Sequence, residues 1–231
     1  MKAKLSEGLI DQISKTIVVQ DKHLLISDAD EVLLNFLPCF ENYLQDNSMW
    51  YDLKSYALFG NIKNKVTNDS ISNEDVLFHL ENFFKNKSRQ IDFVKGSINS
   101  LNKLINKLNF QIIILTNIPF KYLEDRKACF RDNGLELPII AGNGPKGLVI
   151  KELVKSFNGN IFFIDDLAPH IISSKLEVKR AKTIHYISDE RLSKLAKTPK
   201  EADFRANSWK EIYNFIKYEI CLLYTSDAAD D

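Results

Sequence analysis

Residues 24–34, LLISDADEVLL, constrain this chain more than any other stretch. Leu24, Leu25 and Ile26 lead through Ser27 into Asp28-Ala29-Asp30. A short apolar run ending in acids fits a buried parallel strand with carboxylates at its C-terminal tip. Open α/β sheets bind ligands beyond such tips. Side chains at i and i+2 lie on one face of a strand. Asp28 at the strand end and Asp30 in the turn that follows can therefore share one site at the strand tip. A strand end followed by a polar turn fits the same residues.

Later stretches narrow the choice. Residues 112–115 form a second apolar run, which ends in Thr116-Asn117, and residues 161–164 a third, which ends in Asp165-Asp166. Between them, Gly144-Pro145-Lys146-Gly147 opens a predicted helix. The order Asp-x-Asp, Thr, Lys, Asp-Asp, on three strand tips and a helix start, resembles the haloacid dehalogenase (HAD) superfamily of phosphatases and related enzymes. The resemblance covers residues 24 to about 187. After Asp30 many members have Gly-Thr or Gly-Val; this chain has Glu31-Val32, a departure that bears on the geometry of the turn.

The resemblance implies a role for each motif residue. Asp28 is the expected nucleophile, which splits one hard step into two through an aspartyl-phosphate. Asp30 is the expected acid–base group. Superfamily dehalogenases lack an Asp there, so Asp30 favours phosphoryl over carbon–halogen chemistry. Thr116, helped by backbone N–H groups near Asn117, is expected to bind the phosphoryl oxygens, and Lys146 to hold Asp28 and the phosphoryl group. Asp28, Asp165, Asp166 and the backbone carbonyl of Asp30 form an expected Mg²⁺ site of hard oxygen ligands. The expected function is Mg²⁺-dependent phosphoric monoester hydrolysis of a small phosphorylated metabolite. The alternatives are a phosphomutase of the same superfamily and a non-catalytic HAD-fold interaction protein. His170 is read as a residue of a helix's first turn outside the site, and His23, His79 and His185 as histidines without supporting partners.

Composition excludes other classes. The 31 basic residues balance the 31 acidic ones, and no basic stripe offers a nucleic-acid footprint. No apolar run approaches the ~20 residues that cross a bilayer, and residues 1–15 lack the continuous apolar core of a signal peptide. A cytoplasmic protein is expected. Cys39, Cys129 and Cys221 show no metal-binding spacing. An apolar content of 45% supports a real core at 231 residues.

Apolar periodicity predicts strands at 24–28, 110–115, 137–141, 161–164 and 183–187. It predicts helices at 4–19, 98–108, 120–133, 148–157, 169–176, 190–196 and 209–218. Alternating strands and helices argue a Rossmann-like three-layer α/β/α fold with a parallel sheet of about five strands. The core is expected from 1–33 and 96–220. Residues 34–95 are too long for a simple crossover and too apolar for a disordered loop. They are read as a small, mainly helical insert, with helical spacing at 33–44 interrupted by Pro38, a hairpin-like stretch at 50–62 and a helix start at Ser72. In the HAD superfamily an insert here is a cap over the site; an extra helical layer is the alternative. Residues 221–231, CLLYTSDAADD, match the translation of a transposase-end sequencing adapter and are expected to form a loose, non-native tail.

Overall fold

The computed structural model describes residues 4–227, with side chains to residue 222. After α1 (Glu7–Lys15), the first strand, β1 (His23–Ser27), delivers Asp28 at its tip. Residues 29–35 form a tight turn, in which the N–H groups of Leu33 and Leu34 donate to the carbonyl of Ala29. Then come α2 (Phe36–Asp46), the antiparallel pair β2 (Met49–Tyr51) and β3 (Ile62–Asn64), and α3 (Asn73–Lys87). Pro38 does not interrupt α2. The helix begins at Phe36, which puts Pro38 in the first turn, where its missing N–H costs nothing. Ser72 caps α3 by accepting from the Asp75 N–H at 3.1 Å.

The rest alternates. α4 (Ser97–Leu108) leads into β4 (Phe110–Thr116), and a 3₁₀ turn at Phe120–Tyr122 leads into α5 (Leu123–Asp132). β5 (Ile139–Ala141), α6 (Gly147–Leu153), β6 (Ile161–Asp165) and α7 (Ala168–Glu177) follow. The chain closes with β7 (Lys182–Tyr186), α8 (Glu190–Leu195), β8 (Phe204–Ala206) and α9 (Trp209–Asp227). The strands make one parallel sheet in the order β5-β4-β1-β6-β7-β8. β8, a sixth strand at the edge, lies outside the five expected. α9 continues past 218 into the stretch read as adapter, and residues 228–231 lie outside the described residues.

The central strands are buried on both faces, as continuous apolar runs require. Leu25, Ile112, Ile114, Phe162 and Ile164 pack on one side with α2, α3, α4 and α9. Leu24, Ile26, Ile113, Leu115, Ile161 and Phe163 pack on the other with α1, α6 and α7. This period of two across β1, β4 and β6 defines the three layers. Residues of α2, β2, β3 and α3 share the first of these cores with the sheet. Ser27 aligns with Ile114 on one side and Ile164 on the other. The tips of all three strands therefore end side by side.

Candidate active site

At that shared edge, Asp28, Thr116 and Asp165 come together from three adjacent strands. Lys146 completes the group from the residue before α6. Its ammonium lies 2.6 Å from Asp28 Oδ1 and 2.7 Å from Asp165 Oδ2. Lys146 stands so deep because Gly147 lets α6 approach α7 closely. A Cβ on Gly147 would meet the Ser173 carbonyl oxygen at 2.2 Å. Burial opposes the Lys146 charge, but Asp165 and Asp28 outweigh it and hold its pKa above the ordinary value.

The acids outnumber this lysine. Carboxylate oxygens of Asp28, Asp165 and Asp166 lie within 4.8 Å of one another, all buried. Burial pushes Asp166 well above the ordinary carboxylate range, with Asp165 and Asp28 adding repulsion. Asp165 is raised chiefly by burial, against the pull of Lys146. Three converging hard-oxygen donors, with Asp165 and Asp166 resisting ionisation without a further cation, are a donor set suited to Mg²⁺.

Asp30 has a different cationic partner. Its carboxylate pairs with Arg126 of α5, at 2.9 Å from Oδ1 and 3.0 Å from Oδ2, while 21% of its side chain stays exposed. Burial raises its pKa, and Arg126 offsets this only in part. Arg126 is fully buried. The sequence analysis did not single it out, although it falls between Leu123 and Phe130 in the apolar stripe of its helix.

Glu31, the departure from Gly in the motif, occupies the left-handed region at φ 58°. A side chain there costs about 1 kcal/mol or more. The carboxylate offsets this by accepting from the Leu37 N–H at 2.6 Å, the Ser188 hydroxyl at 2.9 Å and the Asp189 N–H at 3.1 Å. The turn is thus tied to the N-terminus of α2 and to the loop after β7. Burial raises the Glu31 carboxyl to about 7 against these hydrogen bonds.

Thr116 Oγ1 is buried without a hydrogen-bond partner and faces a cavity of about 340 Å³. Asp28, Asp30, Asn117, Lys146 and Asp166 line the same cavity, while Asp165 stands behind them on Lys146. The Asn117 amide donates to the Gly144 carbonyl at 3.0 Å and meets His170 Nε2 at 3.3 Å. His170, expected outside the site, lines this cavity too, because the first turn of α7 opens directly beyond β6. Burial, with Lys146 nearby, lowers its pKa to about 4, so it is neutral.

The other histidines have partners after all. His185 Nδ1 accepts from Arg205 at 2.7 Å, so Nε2 carries the hydrogen and donates to the Asp166 carbonyl at 2.8 Å. His79 meets the Tyr43 hydroxyl and His23 the Asn160 amide. Such pairs join distant parts of the chain, which no local spacing reveals. Tyr56, between β2 and β3, donates its hydroxyl to Asp166 Oδ2.

No protein-family model matches this sequence, and no curated protein matches it. Solved structures do. The magnesium-bound HAD-hydrolase YfnB from Bacillus subtilis aligns with a TM-score of 0.56 at 15% identity, over 84% of this chain and 98% of that one. A family IA, variant 3 HAD hydrolase from Entamoeba histolytica aligns at 0.55 and 15%, over 82% and 94%. A Thermotoga maritima protein described as a beta-phosphoglucomutase aligns at 0.54 and 15%, over 85% and 99%. The fold is therefore that of the HAD-like hydrolases, and a buried acidic cluster stands at the strand tips. Among the described residues no helix is long and apolar enough to cross a membrane.

Proposed function

We propose that this chain is a Mg²⁺-dependent phosphoric monoester hydrolase of the HAD superfamily acting on a small phosphorylated substrate, with residues 34–95 as its cap. One observation carries the reading: Asp28, Asp30, Thr116, Lys146 and Asp166 converge on one cavity, with Asp165 held against Lys146. Asp28, Asp165, Asp166 and the Asp30 carbonyl would hold the metal, which neutralises the acids and polarises the phosphoryl oxygens.

Lys146 grips Asp28 Oδ1 and fixes its carboxylate at the cavity floor. Asp28 attacks phosphorus, and the bond from phosphorus to the ester oxygen breaks. Asp30, whose raised pKa favours the protonated form, gives the leaving alkoxide its proton. Thr116 Oγ1 donates to a phosphoryl oxygen as charge develops there. Asp30, now ionised and steadied by Arg126, takes a proton from water. That water attacks phosphorus, releases inorganic phosphate and restores Asp28.

The test is phosphate release from a panel of phosphomonoesters with Mg²⁺ and with excess chelator, with halide release from 2-haloacids as the control. Hydrolysis that needs Mg²⁺ and vanishes in Asp28→Asn is expected. Halide release with no phosphate release would overturn the reading.

A further inference from the structure

The cavity has two unlike halves. Its charged and hydrogen-bonding groups belong to the sheet and its loops. Its opposite wall comes from residues 36–84: Phe36, Tyr51, Tyr56, Leu58, Leu80 and Phe84. Both tyrosines on this wall have already committed their hydroxyl hydrogens. Tyr51 donates to the Ser55 carbonyl at 2.8 Å, and Tyr56 donates to Asp166. The buried polar atoms without a partner among the lining residues are Thr116 Oγ1 and His170 Nδ1, both on the sheet side, while Asp30 Oδ1 is paired with Arg126. Lys146 is the one cation among the described residues that line the cavity, and Asp28 and Asp165 hold it.

We infer that the leaving group is a small, uncharged, apolar alcohol, aryl or branched alkyl, and that the phosphoryl group is the substrate's sole anionic group. This deepens the phosphatase reading and rests on it. A sugar or polyol would bury its hydroxyls against carbon, and each hydroxyl without a partner disfavours binding. A second phosphate or a carboxylate would meet no counter-charge on the wall and would face Asp30, Glu31 and Asp166. A mutase working on a bisphosphate intermediate needs just such a second anion site. Apolar walls with a few convergent polar groups suit a compact ligand, and about 340 Å³ lies near the lower end of the ~300–1,000 Å³ of small-molecule sites.

The experiment compares kcat/KM, in the full chain with saturating Mg²⁺, for benzyl phosphate, glycerol 3-phosphate and glucose 6-phosphate. All three are esters of primary alcohols, so leaving-group chemistry is similar. Benzyl phosphate is expected to lead by tenfold or more. Leu80→Arg should shrink that lead at least tenfold and raise activity on 3-phosphoglycerate. In parallel, calorimetry compares two inert phosphonates on the Mg²⁺-loaded protein. Benzylphosphonate should bind at least tenfold tighter than methylphosphonate, with a more negative heat-capacity change, the marker of apolar burial. A lead for glycerol 3-phosphate or glucose 6-phosphate overturns this inference and leaves the phosphatase reading intact. Hydrolysis of none of the esters overturns the phosphatase reading. The character of the pocket is then decided by binding, and benzylphosphonate binding no tighter than methylphosphonate overturns that as well.

Discussion

The Tyr56 hydroxyl donates to Asp166, so a residue between β2 and β3 holds a carboxylate of the candidate metal cluster. Burial and Asp166 together push the Tyr56 pKa far up, and the hydroxyl keeps its hydrogen. Outer partners of this kind orient a ligand, and their loss costs ~10–100-fold in metal affinity or activity. Tyr56→Phe should therefore raise the Mg²⁺ concentration for half-maximal activity about tenfold. A Mg²⁺ titration indistinguishable from wild type would show that the bond orients nothing.

Asp30→Asn removes the proposed proton donor while keeping shape, and a loss of at least ~10²-fold in kcat is expected. Arg126→Met leaves Asp30 without its buried partner, at a cost of about 3 kcal/mol in unfolding free energy. The double variant should recover part of that stability and none of the activity. Equal stability of the single and double variants would refute the coupling.

With Mg²⁺ bound as proposed, protons and metal compete for one cluster. Burial and neighbouring acids raise Asp165 and Asp166, Asp165 to about 7, so Mg²⁺ must displace protons below that pH. Each displaced proton weakens apparent affinity about tenfold per pH unit. The rise in melting temperature caused by Mg²⁺ should be larger at pH 8 than at pH 6. A rise independent of pH would count against the assignment.

His170 and His185 act on stability in the opposite sense to the raised acids. Burial lowers both from 6.5 to about 4. The folded state then binds fewer protons than the unfolded state between those values. Stability is therefore full above about 6.5 and falls as pH falls toward 4, by up to roughly 3 kcal/mol per histidine. At saturating Mg²⁺, His185→Gln and His170→Asn should each flatten the acid limb of stability against pH. Unchanged slopes in both would refute it.

Gly147→Ala drives a methyl into the Ser173 carbonyl, and α6 must shift. Overpacking of this kind costs ~1–3 kcal/mol. Because Lys146 sits at the start of α6, kcat should fall more than tenfold while far-ultraviolet circular dichroism stays native. Wild-type kcat in this variant would mean that Lys146 holds its place without close packing of α6 on α7.

Legibility in the sequence followed the range of the physics. β1, β4 and β6 are buried on both faces, so their apolar runs stand out, and Asp28, Thr116 and Asp165-Asp166 sit where those runs stop. β8 shows only Phe-Arg-Ala, too short for any period. Arg126 and His170 looked like ordinary helix residues, because their partners Asp30 and Asn117 lie far away in the sequence. Glu31 read only as a departure bearing on the geometry of a turn. Much of its compensation comes from Ser188 and Asp189, more than 150 residues away.

The strand order also sets a timetable for synthesis. β1 is complete at Ser27, yet its neighbours in the sheet begin at Phe110 and Ile161. At roughly 5–20 residues per second, the nascent chain carries this apolar strand, both edges open, for several seconds before either flank can close. Parallel pairing over such separations is slow and leaves hydrophobic surface exposed to other chains. Chaperone capture of the nascent protein should therefore be strongest between the emergence of β1 and that of β6. The strand that carries Asp28 gains both of its sheet neighbours only once β6 has been made, more than 130 residues later.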